Sequence, residues 1–401
     1  MADVGTEEII VVILVVGTRL FLPLVIPYWP LPGVLACMIL DAADQTIFQQ
    51  FPAIDLDGYQ SYDKSLDIYY LAITYLSTMR NWTNAYAFRM SWFLYYYRLV
   101  GVVAFELTQV RTLLFIFPNT FEYFFTFVEA VRMRWHTSHM GKWTVIIGAA
   151  LIWIVIKLPQ EYWIHIAKMD MTDFLKESVF GVDAAESWGA AIGNSPAVFV
   201  AILAALAALV YGVYWVAVHK APPGDHGIRL RADPLPPELR GAELYRTVRA
   251  TEKVFDRALI EKVVLTGLIS VVFAQILLSD DVRNIGVLAY VAVFVAVNAL
   301  VSQWLARRGR NWASVAGELG GMMVVNFGII FALGLAQRLL NITETSPALG
   351  TTLFFIFLFT VLTVLFDRYH TVLRARGVLA KRDGVGEGGR TADGQAEAAT
   401  T

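Results

Sequence analysis

Long apolar segments recur along almost the whole chain, and they leave one architecture open. Hydrophobic residues make up 57% of the 401 residues and charged residues only 16%, and the mean hydropathy is +0.55. A soluble domain normally carries about a quarter charged residues, whereas a helix needs roughly 20 apolar residues to cross a bilayer. The sequence therefore predicts an all-α fold, a polytopic transmembrane helix bundle.

We expect about eleven spans, with ten as the alternative. Two segments are less regular than the rest, because 31–50 contains two aspartates and 87–105 contains two arginines. In the ten-span alternative, residues 87–105 lie on the membrane surface. The predicted spans are 9–28, 31–50, 64–79, 87–105, 112–130, 143–158, 196–218, 260–279, 284–305, 317–337 and 349–367.

Basic residues are concentrated in a few loops, and such loops face the cytoplasm in cell-membrane proteins. With eleven spans, the C-terminus is cytoplasmic, while the N-terminus and the aspartate-rich loop 51–63 lie outside. With ten spans, the aspartates face the cytoplasm instead. The net charge of −2 and the confinement of basic residues to loops predict no nucleic-acid partner. The basic loops are 131–142, 219–258, 306–311 and the tail after Phe366.

Composition divides the chain into four parts. Residues 1–218 form an aromatic, charge-bearing membrane domain with about seven spans, and 259–368 form a plainer four-helix membrane region. Between them, 219–258 is a cytoplasmic connector that begins with turn formers and continues as an amphipathic helix, because its apolar residues recur at near-helical spacing. Residues 383–401 contain few apolar side chains and are expected to be disordered.

A cluster of aspartates lies where the second predicted span ends and the third begins. Asp41 and Asp44 are three residues apart on the second span. Asp63 and Asp67 are four residues apart at the start of the third, so each pair projects from one helix face. Carboxylates at membrane depth are costly, and Mg²⁺ and Mn²⁺ prefer carboxylate oxygens. The two pairs therefore predict a site for one or two divalent cations.

A purely structural role is the alternative for these aspartates. Asp55 and Asp57 lie between the two pairs and suit a turn, and Asp63 suits the N-cap of the third span. For these three residues the structural role is the favoured interpretation. Asp41 and Asp44 lie beside an apolar run, and for them the two interpretations carry equal weight.

Residues 41–67 resemble the signature of the CDP-alcohol phosphotransferases, which reads D-x2-D-G-x2-A-R-x8-G-x3-D-x3-D and bridges the second and third transmembrane helices. The aspartates of both pairs and Gly58 follow its order. Gln45 replaces the first glycine, Phe48-Gln49 replace Ala-Arg, and one extra residue separates Gly58 from the second pair. The family's site is cytoplasmic and its helices usually number six, so the predicted topology departs from it. The resemblance implies a Mg²⁺- or Mn²⁺-dependent transferase acting on a lipid- or nucleotide-linked phosphate, with the metal ligands Asp41, Asp44, Asp63 and Asp67.

A second group of ionisable residues falls within the predicted spans. Glu122 and Glu129 are seven residues apart, which is two helical turns, and share a face. An arginine inside a span can bind the phosphate of a lipid headgroup, and Arg98 is the candidate for this role. Glutamates inside the spans can relay protons. The favoured alternative is that the group forms internal ion pairs that fix helix packing. Its members are Arg19, Arg98, Glu106, Glu122, Glu129 and Glu318.

Two histidines, His136 and His139, lie three residues apart in the basic segment RWHTSH. A metal site needs more than two ligands, and no third His or Cys lies near them in the sequence. The favoured interpretation is therefore a basic patch at the membrane interface that contacts anionic lipid.

Three classes of function remain open from the sequence. The first is the metal-dependent transferase that the resemblance implies. The second is a transporter or ion-coupled carrier, and the third is a non-catalytic scaffold whose charges serve packing. The partner in every class is the lipid bilayer, including anionic or phosphate-bearing lipid. The carrier would use Asp41, Asp44, Glu106 and Glu122 along its pathway.

Overall fold

A computed structural model describes most of the chain, and the described part is helical without a strand. The all-α class is thereby confirmed. The described residues are 6–49, 51, 59–167, 169, 171–235, 253–277, 284–308, 314–339 and 348–397.

The helices are numbered here in chain order. They are α1 (Thr6–Phe21), α2 (Pro30–Gln49), α3 (Tyr59–Asn81), α4 (Ala85–Thr108), α5 (Thr112–Ile116), α6 (Thr120–Arg132), α7 (Lys142–Leu151), α8 (Leu158–Glu161), α9 (Met171–Phe174), α10 (Trp188–Asn194), α11 (Pro196–His219), α12 (Arg257–Leu277), α13 (Asn284–Arg307), α14 (Val315–Leu339) and α15 (Leu349–Glu397). Short 3₁₀ turns cover Leu22–Val25 and Thr137–His139, and π-helical turns cover Ile152–Lys157, Tyr162–Ile166 and Leu175–Phe180.

Eight helical stretches of the described chain are long and apolar enough to cross a membrane, which supports a membrane-spanning bundle. The predicted count of about eleven spans is not reached by this criterion, and it stays a prediction. The difference lies in the predicted spans 64–79, 87–105 and 112–130, which belong to α3, α4 and the α5–α6 region. The eight stretches are Glu7–Val25, Pro30–Phe48, Lys142–Ile166, Pro196–Val216, Arg257–Leu277, Asn284–Arg307, Val315–Gln337 and Leu349–Gly377.

Helix α3 lies at the centre of the bundle, although it is too polar to count as a span. Its residues from Ser65 to Met79 are all buried. It packs against α2 and α4 from the first half of the chain and against α12 and α15 from the second half. The two membrane regions inferred from composition therefore share one core.

A tyrosine cluster links α3 and α4 to α12. The Tyr75 ring stacks on the Tyr95 ring with centroids 4.8 Å apart. The Tyr75 hydroxyl donates to Oε1 of Glu261 at 2.5 Å, and the Tyr96 hydroxyl donates to the same oxygen at 3.3 Å. A carboxylate that accepts two hydroxyls is well satisfied for a partly buried group, so Glu261 fixes α12 against the first half of the chain.

The start of α4 is set by Asn84, as expected for an N-cap asparagine. Its side-chain oxygen accepts the backbone N–H groups of Tyr86 and Ala87 at 2.9 and 3.0 Å. Its amide donates to the carbonyl oxygens of Thr137 and Met140, both at 2.8 Å. The same residue thus caps α4 and holds the loop between α6 and α7.

The predicted span 112–130 is divided in two. Helix α5 ends at Ile116 and α6 begins at Thr120, because Pro118 has no N–H to continue the helix. Side chains from α4 satisfy the carbonyl groups at the break. The Tyr97 hydroxyl donates to the Ile116 carbonyl at 2.8 Å, and the Arg98 guanidinium donates to the Phe117 carbonyl at 2.9 Å.

The predicted span 143–158 is longer in the structure. Helix α7 continues through a π-helical turn into α8 and through a second π-helical turn to Ile166. Pro159 lies just after the first π-helical turn, where it removes one backbone N–H from the continuing helix. The polar residues that follow position 158 therefore belong to the same membrane helix.

Helices α13, α14 and α15 of the C-terminal half are joined by a chain of neutral side chains. The Asn298 amide donates to Asn326 at 2.7 Å, and the Asn326 amide donates to the Thr360 hydroxyl at 2.9 Å. All three residues are fully buried. Interhelical hydrogen bonds of this kind hold membrane helices together at about 0.6–2 kcal/mol each.

Residues 222–229 of the connector lie along the loop between α6 and α7. The Arg229 N–H donates to the Met133 carbonyl at 3.0 Å, and the Ala232 N–H donates to the Tyr28 carbonyl at 2.8 Å. The predicted amphipathic helix falls largely on 236–252, outside the described residues. Helix α15 continues to Glu397 across much of the segment 383–401, and the disorder expected there stays a prediction.

Gly101 of α4 offers a test of the packing at the helix break. A Cβ at this position would lie 2.1 Å from the Cβ of Phe117. We expect Gly101→Ala to lower the free energy of unfolding by about 1–3 kcal/mol, the usual cost of overpacking. The midpoint of thermal unfolding in detergent, followed by tryptophan fluorescence, measures this change. Gly328→Ala in α14, where a Cβ meets nothing within 4 Å, is the control. Equal midpoints for the two variants would contradict the packing described here.

Candidate functional site

The four aspartates of the two predicted pairs converge on one arginine, Arg19, near the end of α1. Asp41 and Asp44 come from α2, and the other two carboxylates come from the first turns of α3. Nη1 of Arg19 bonds Asp44, and Nη2 bonds Asp41. Nη1 also lies 3.2 Å from Asp63 Oδ1, and Nη2 lies 3.0 Å from Asp67 Oδ1. The two pairs, each on one helix face, therefore lie together around a single guanidinium.

Lys64 is the second cation of this group. Its Nζ lies 2.6 Å from Asp63 Oδ2 and 3.3 Å from Asp67 Oδ2. We call the six residues Arg19, Asp41, Asp44, Asp63, Lys64 and Asp67 the Arg19 cluster. Four carboxylates against two cations leave an excess of two negative charges when every group is ionised.

The side chains of the Arg19 cluster differ in how exposed they are. The side chains of Arg19 and Asp44 are 4% and 0% exposed. Asp41 is 31% exposed and is the most accessible carboxylate of the four. A guanidinium presents several N–H groups in a rigid fork, so one arginine can bond several carboxylates at once. Exchange of ions or protons with the surroundings is therefore easiest at Asp41.

The donor set of the cluster fits a hard divalent cation. One oxygen from each of Asp41, Asp63 and Asp67 lies within 4.8 Å of the other two. Mg²⁺ and Mn²⁺ take carboxylate oxygens of this kind. Arg19 bonds the same three carboxylates, however, so a bound cation would compete with the guanidinium for them.

A second buried group lies between α6 and the α7–α8 helix. Lys157 Nζ lies 3.9 Å from Glu122 Oε2, and His165 Nε2 lies 3.0 Å from Glu161 Oε2. Asn119, at the helix break, donates its side-chain amide to Glu122 at 2.9 Å and its backbone N–H to Glu161 at 3.2 Å. We call these residues, Asn119, Glu122, Lys157, Glu161 and His165, the Glu122 cluster.

Three members of the Glu122 cluster were not predicted from the sequence as site residues. Lys157, Glu161 and His165 follow at intervals of four residues, and this spacing places them on one helix face. That periodicity is the signal that could have identified them. It lies across the predicted end of the span 143–158, where charged residues and Pro159 indicate that a helix stops.

The remaining predicted residues occupy separate places. Glu129 accepts from Arg132 Nε at 2.5 Å and from the Trp82 indole at 2.7 Å. Glu318 pairs with Arg368 at 2.8 Å. Arg98 bonds the helix-break carbonyl, and Glu106 is buried on α4. Asp55 and Asp57 lie outside the described residues.

Comparisons with known proteins add no assignment. No known protein family, no curated protein and no solved structure matches this chain.

Replacing Arg19 tests whether the aspartates depend on it. Arg19→Gln removes the positive charge from four carboxylates, and removing one partner of a buried ion pair costs about 3–5 kcal/mol. We expect a large fall in the thermal unfolding midpoint in detergent. Arg89→Gln, at an exposed position of α4, should leave the midpoint near that of the wild type. A wild-type midpoint for Arg19→Gln would mean that the guanidinium does not hold the cluster together.

Proposed function

We propose that this chain is a membrane transporter that moves protons down their electrochemical gradient, with the Arg19 cluster as the site of proton binding. The observation that carries this proposal is the charge balance of the cluster, in which four carboxylates face two cations, with a third cation, Arg98, near enough to act electrostatically on Asp67 and Lys64. Uncompensated charge at membrane depth costs several kcal/mol per ion. The cluster therefore gains stability when it takes up positive charge, and Asp41, the most exposed of its carboxylates, is the group at which that charge can be released.

Protons meet this requirement with less rearrangement than a metal ion. The guanidinium of Arg19 does not deprotonate in proteins, so any exchange falls to the carboxylates. Neighbouring carboxylates can share a proton while Arg19 keeps its hydrogen bonds. A divalent cation, by contrast, would draw the same oxygens away from the guanidinium.

The Glu122 cluster supports a continuation of the proton pathway. Helix α2, which carries Asp41 and Asp44, packs against α6, which carries Glu122. Glu122 lies one helical turn after the break at Pro118, and interrupted helices form the ion sites of many transporters. Lys157 and His165 lie on π-helical turns, and such turns are frequent at functional sites.

Proton flux into liposomes tests the carrier. The purified chain is reconstituted into vesicles that contain a pH-sensitive dye, and a potassium gradient with valinomycin drives protons inward. We expect Glu122→Gln to abolish the flux, because the amide cannot bind and release a proton. Glu177→Gln, at an exposed position between α9 and α10, should keep the wild-type rate. Flux by the wild type no faster than in protein-free vesicles would refute the proposal.

A second candidate function is the divalent-cation-dependent transferase that the sequence resemblance implies. It is favoured by the three carboxylate oxygens within 4.8 Å of one another. Asp41, Asp63 and Asp67 would hold the Mg²⁺ or Mn²⁺ ion, which when bound neutralises phosphate charge and stabilises a leaving phosphate. Lys64, beside two of these carboxylates, would contact the phosphate of a lipid- or nucleotide-linked substrate. Arg98 is less suited to that role, because its guanidinium already bonds the Phe117 carbonyl.

Manganese binding distinguishes the transferase from the carrier. If the aspartates hold the metal, Asp41→Asn and Asp67→Asn should each weaken Mn²⁺ binding about tenfold or more, measured by the loss of the free-Mn²⁺ electron paramagnetic resonance signal. Asp183→Asn, at an exposed loop position, is the matched control. Equal Mn²⁺ binding by the wild type and the two cluster variants would eliminate the transferase. If substitutions in the Arg19 cluster lower stability and change neither flux nor Mn²⁺ binding, the cluster serves packing alone.

A further inference from the structure

Arginines from separate parts of the chain meet at the C-terminal end of α3, whereas the Arg19 cluster lies at its N-terminal end. Arg80 belongs to the last turn of α3, Arg132 ends α6, Arg231 belongs to the connector and Arg376 belongs to α15. The Arg376 guanidinium donates to the carbonyl oxygens of Arg80 and Trp82 at 2.5 and 3.2 Å. The Arg132 guanidinium donates to the Arg231 carbonyl at 3.2 Å. We call Arg80, Arg132, Arg231 and Arg376 the arginine cluster.

Trp82 and Glu129 connect the two pairs of arginines. The Trp82 indole donates to Glu129 Oε1 at 2.7 Å, and Glu129 Oε2 accepts Arg132 Nε at 2.5 Å. Arg80 is also near enough to Arg132 to act on it electrostatically. The cluster is therefore one site.

Positive charge exceeds negative charge in the arginine cluster. Arg132 pairs with Glu129, and its Nη1 lies 3.5 Å from Asp233 Oδ2. The other three arginines form no ion pair with a carboxylate among the described residues, and the contacts of two of them are with backbone carbonyl oxygens. Four cations against two carboxylates leave an excess of two positive charges, the reverse of the Arg19 cluster.

Arg132 also has a buried N–H group that lacks an acceptor. The residue is 5% exposed, and its Nη2 has no hydrogen-bond partner among the described residues. Leaving a buried donor without a partner is costly. A guanidinium binds phosphate and carboxylate oxygens through its fork of N–H groups, and the positive charge around Arg132 favours an anionic acceptor.

Aromatic side chains indicate that the arginine cluster lies at the level of the lipid headgroups. The Arg80 guanidinium lies 5.4 Å from the ring centroid of Tyr28, and that of Arg231 lies 5.9 Å from the ring centroid of Trp29. Both rings are exposed and directly precede the second membrane-crossing stretch, where interfacial tyrosine and tryptophan are common. Arg376 lies one residue before the end of the last such stretch.

Hydrogen bonds of the connector hold Arg231 beside the other arginines. The N–H of Ala232 donates to the Tyr28 carbonyl at 2.8 Å. Earlier in the connector, the Asp225 carboxylate accepts the His136 N–H at 2.7 Å. Because the site is preorganised in this way, a ligand that binds to it loses less entropy.

We propose that the arginine cluster binds the phosphate group of an anionic membrane lipid. Basic pockets between membrane helices on the cytoplasmic side bind such headgroups. Arg132, Arg231 and Arg376 come from three of the basic segments that the sequence predicts to face the cytoplasm. The proposal is independent of the proton transport and transferase functions, because no residue of the Arg19 cluster takes part.

Lipid binding to the full chain in detergent tests this site. Native mass spectrometry measures the dissociation constants of phosphatidylglycerol, which is anionic, and of phosphatidylcholine, which has no net charge. We expect the wild type to bind phosphatidylglycerol about tenfold more tightly, since each arginine near an anionic lipid contributes about fivefold. Arg231→Gln and Arg376→Gln should each weaken phosphatidylglycerol binding about fivefold. Arg231 is exposed, so its replacement should leave folding intact. Arg89→Gln in α4 is the matched control and should bind like the wild type.

Asp233 allows a change of the opposite sign. Its side chain is 50% exposed and lies beside Arg132, so Asp233→Asn should tighten phosphatidylglycerol binding about twofold to fivefold. A loss of folding cannot produce tighter binding. Equal affinity of the wild type for the two lipids would overturn the proposal, as would unchanged phosphatidylglycerol binding in both Arg231→Gln and Asp233→Asn. Binding of inorganic phosphate by a chain that does not prefer phosphatidylglycerol would overturn the assignment to a lipid.

Discussion

The ion pairs of Arg19 determine how the first three long helices pack. Only 17% of the apolar stretch of α1 is buried against the protein, and lipid tails are as apolar as its leucines, so little hydrophobic force holds α1 to its neighbours. The guanidinium provides the missing attraction, because it bonds carboxylates from both α2 and α3. The position of α1 is therefore set in large part by charge.

The two halves of the bundle satisfy their buried polar groups in different ways. In the C-terminal half, the buried charges form one-to-one ion pairs, Lys262 with Asp367 and Glu318 with Arg368. The amide and hydroxyl groups of Asn298, Asn326 and Thr360 form a hydrogen-bonded chain without any formal charge. Such a chain gives specific packing and leaves nothing to titrate near neutral pH. In the first half, carboxylates outnumber the cations of the Arg19 cluster. This asymmetry is the reason to seek the function in the first half.

The sequence predicts those features that depend on short-range periodicity. Apolar segments predict the helical class, and the spacing of the aspartates predicts that each pair shares a helix face. What it does not predict is partnership between distant residues: Arg19 lies 22 residues before its nearest aspartate partner in the chain, and Asp225 lies 89 residues after His136. Proline makes helix ends hard to predict from the sequence. One helix ends just before Pro118, whereas another continues past Pro159.

The central position of α3 has a consequence for the order of assembly during synthesis. Its neighbours α12 and α15 are made long after it, and the carboxylate that accepts the Tyr75 hydroxyl is 186 residues further along the chain. Until α12 enters the membrane, the polar, tyrosine-bearing helix α3 lacks this packing partner. Contacts of such long sequence separation form slowly, so α3 reaches its final packing only after most of the chain has been made.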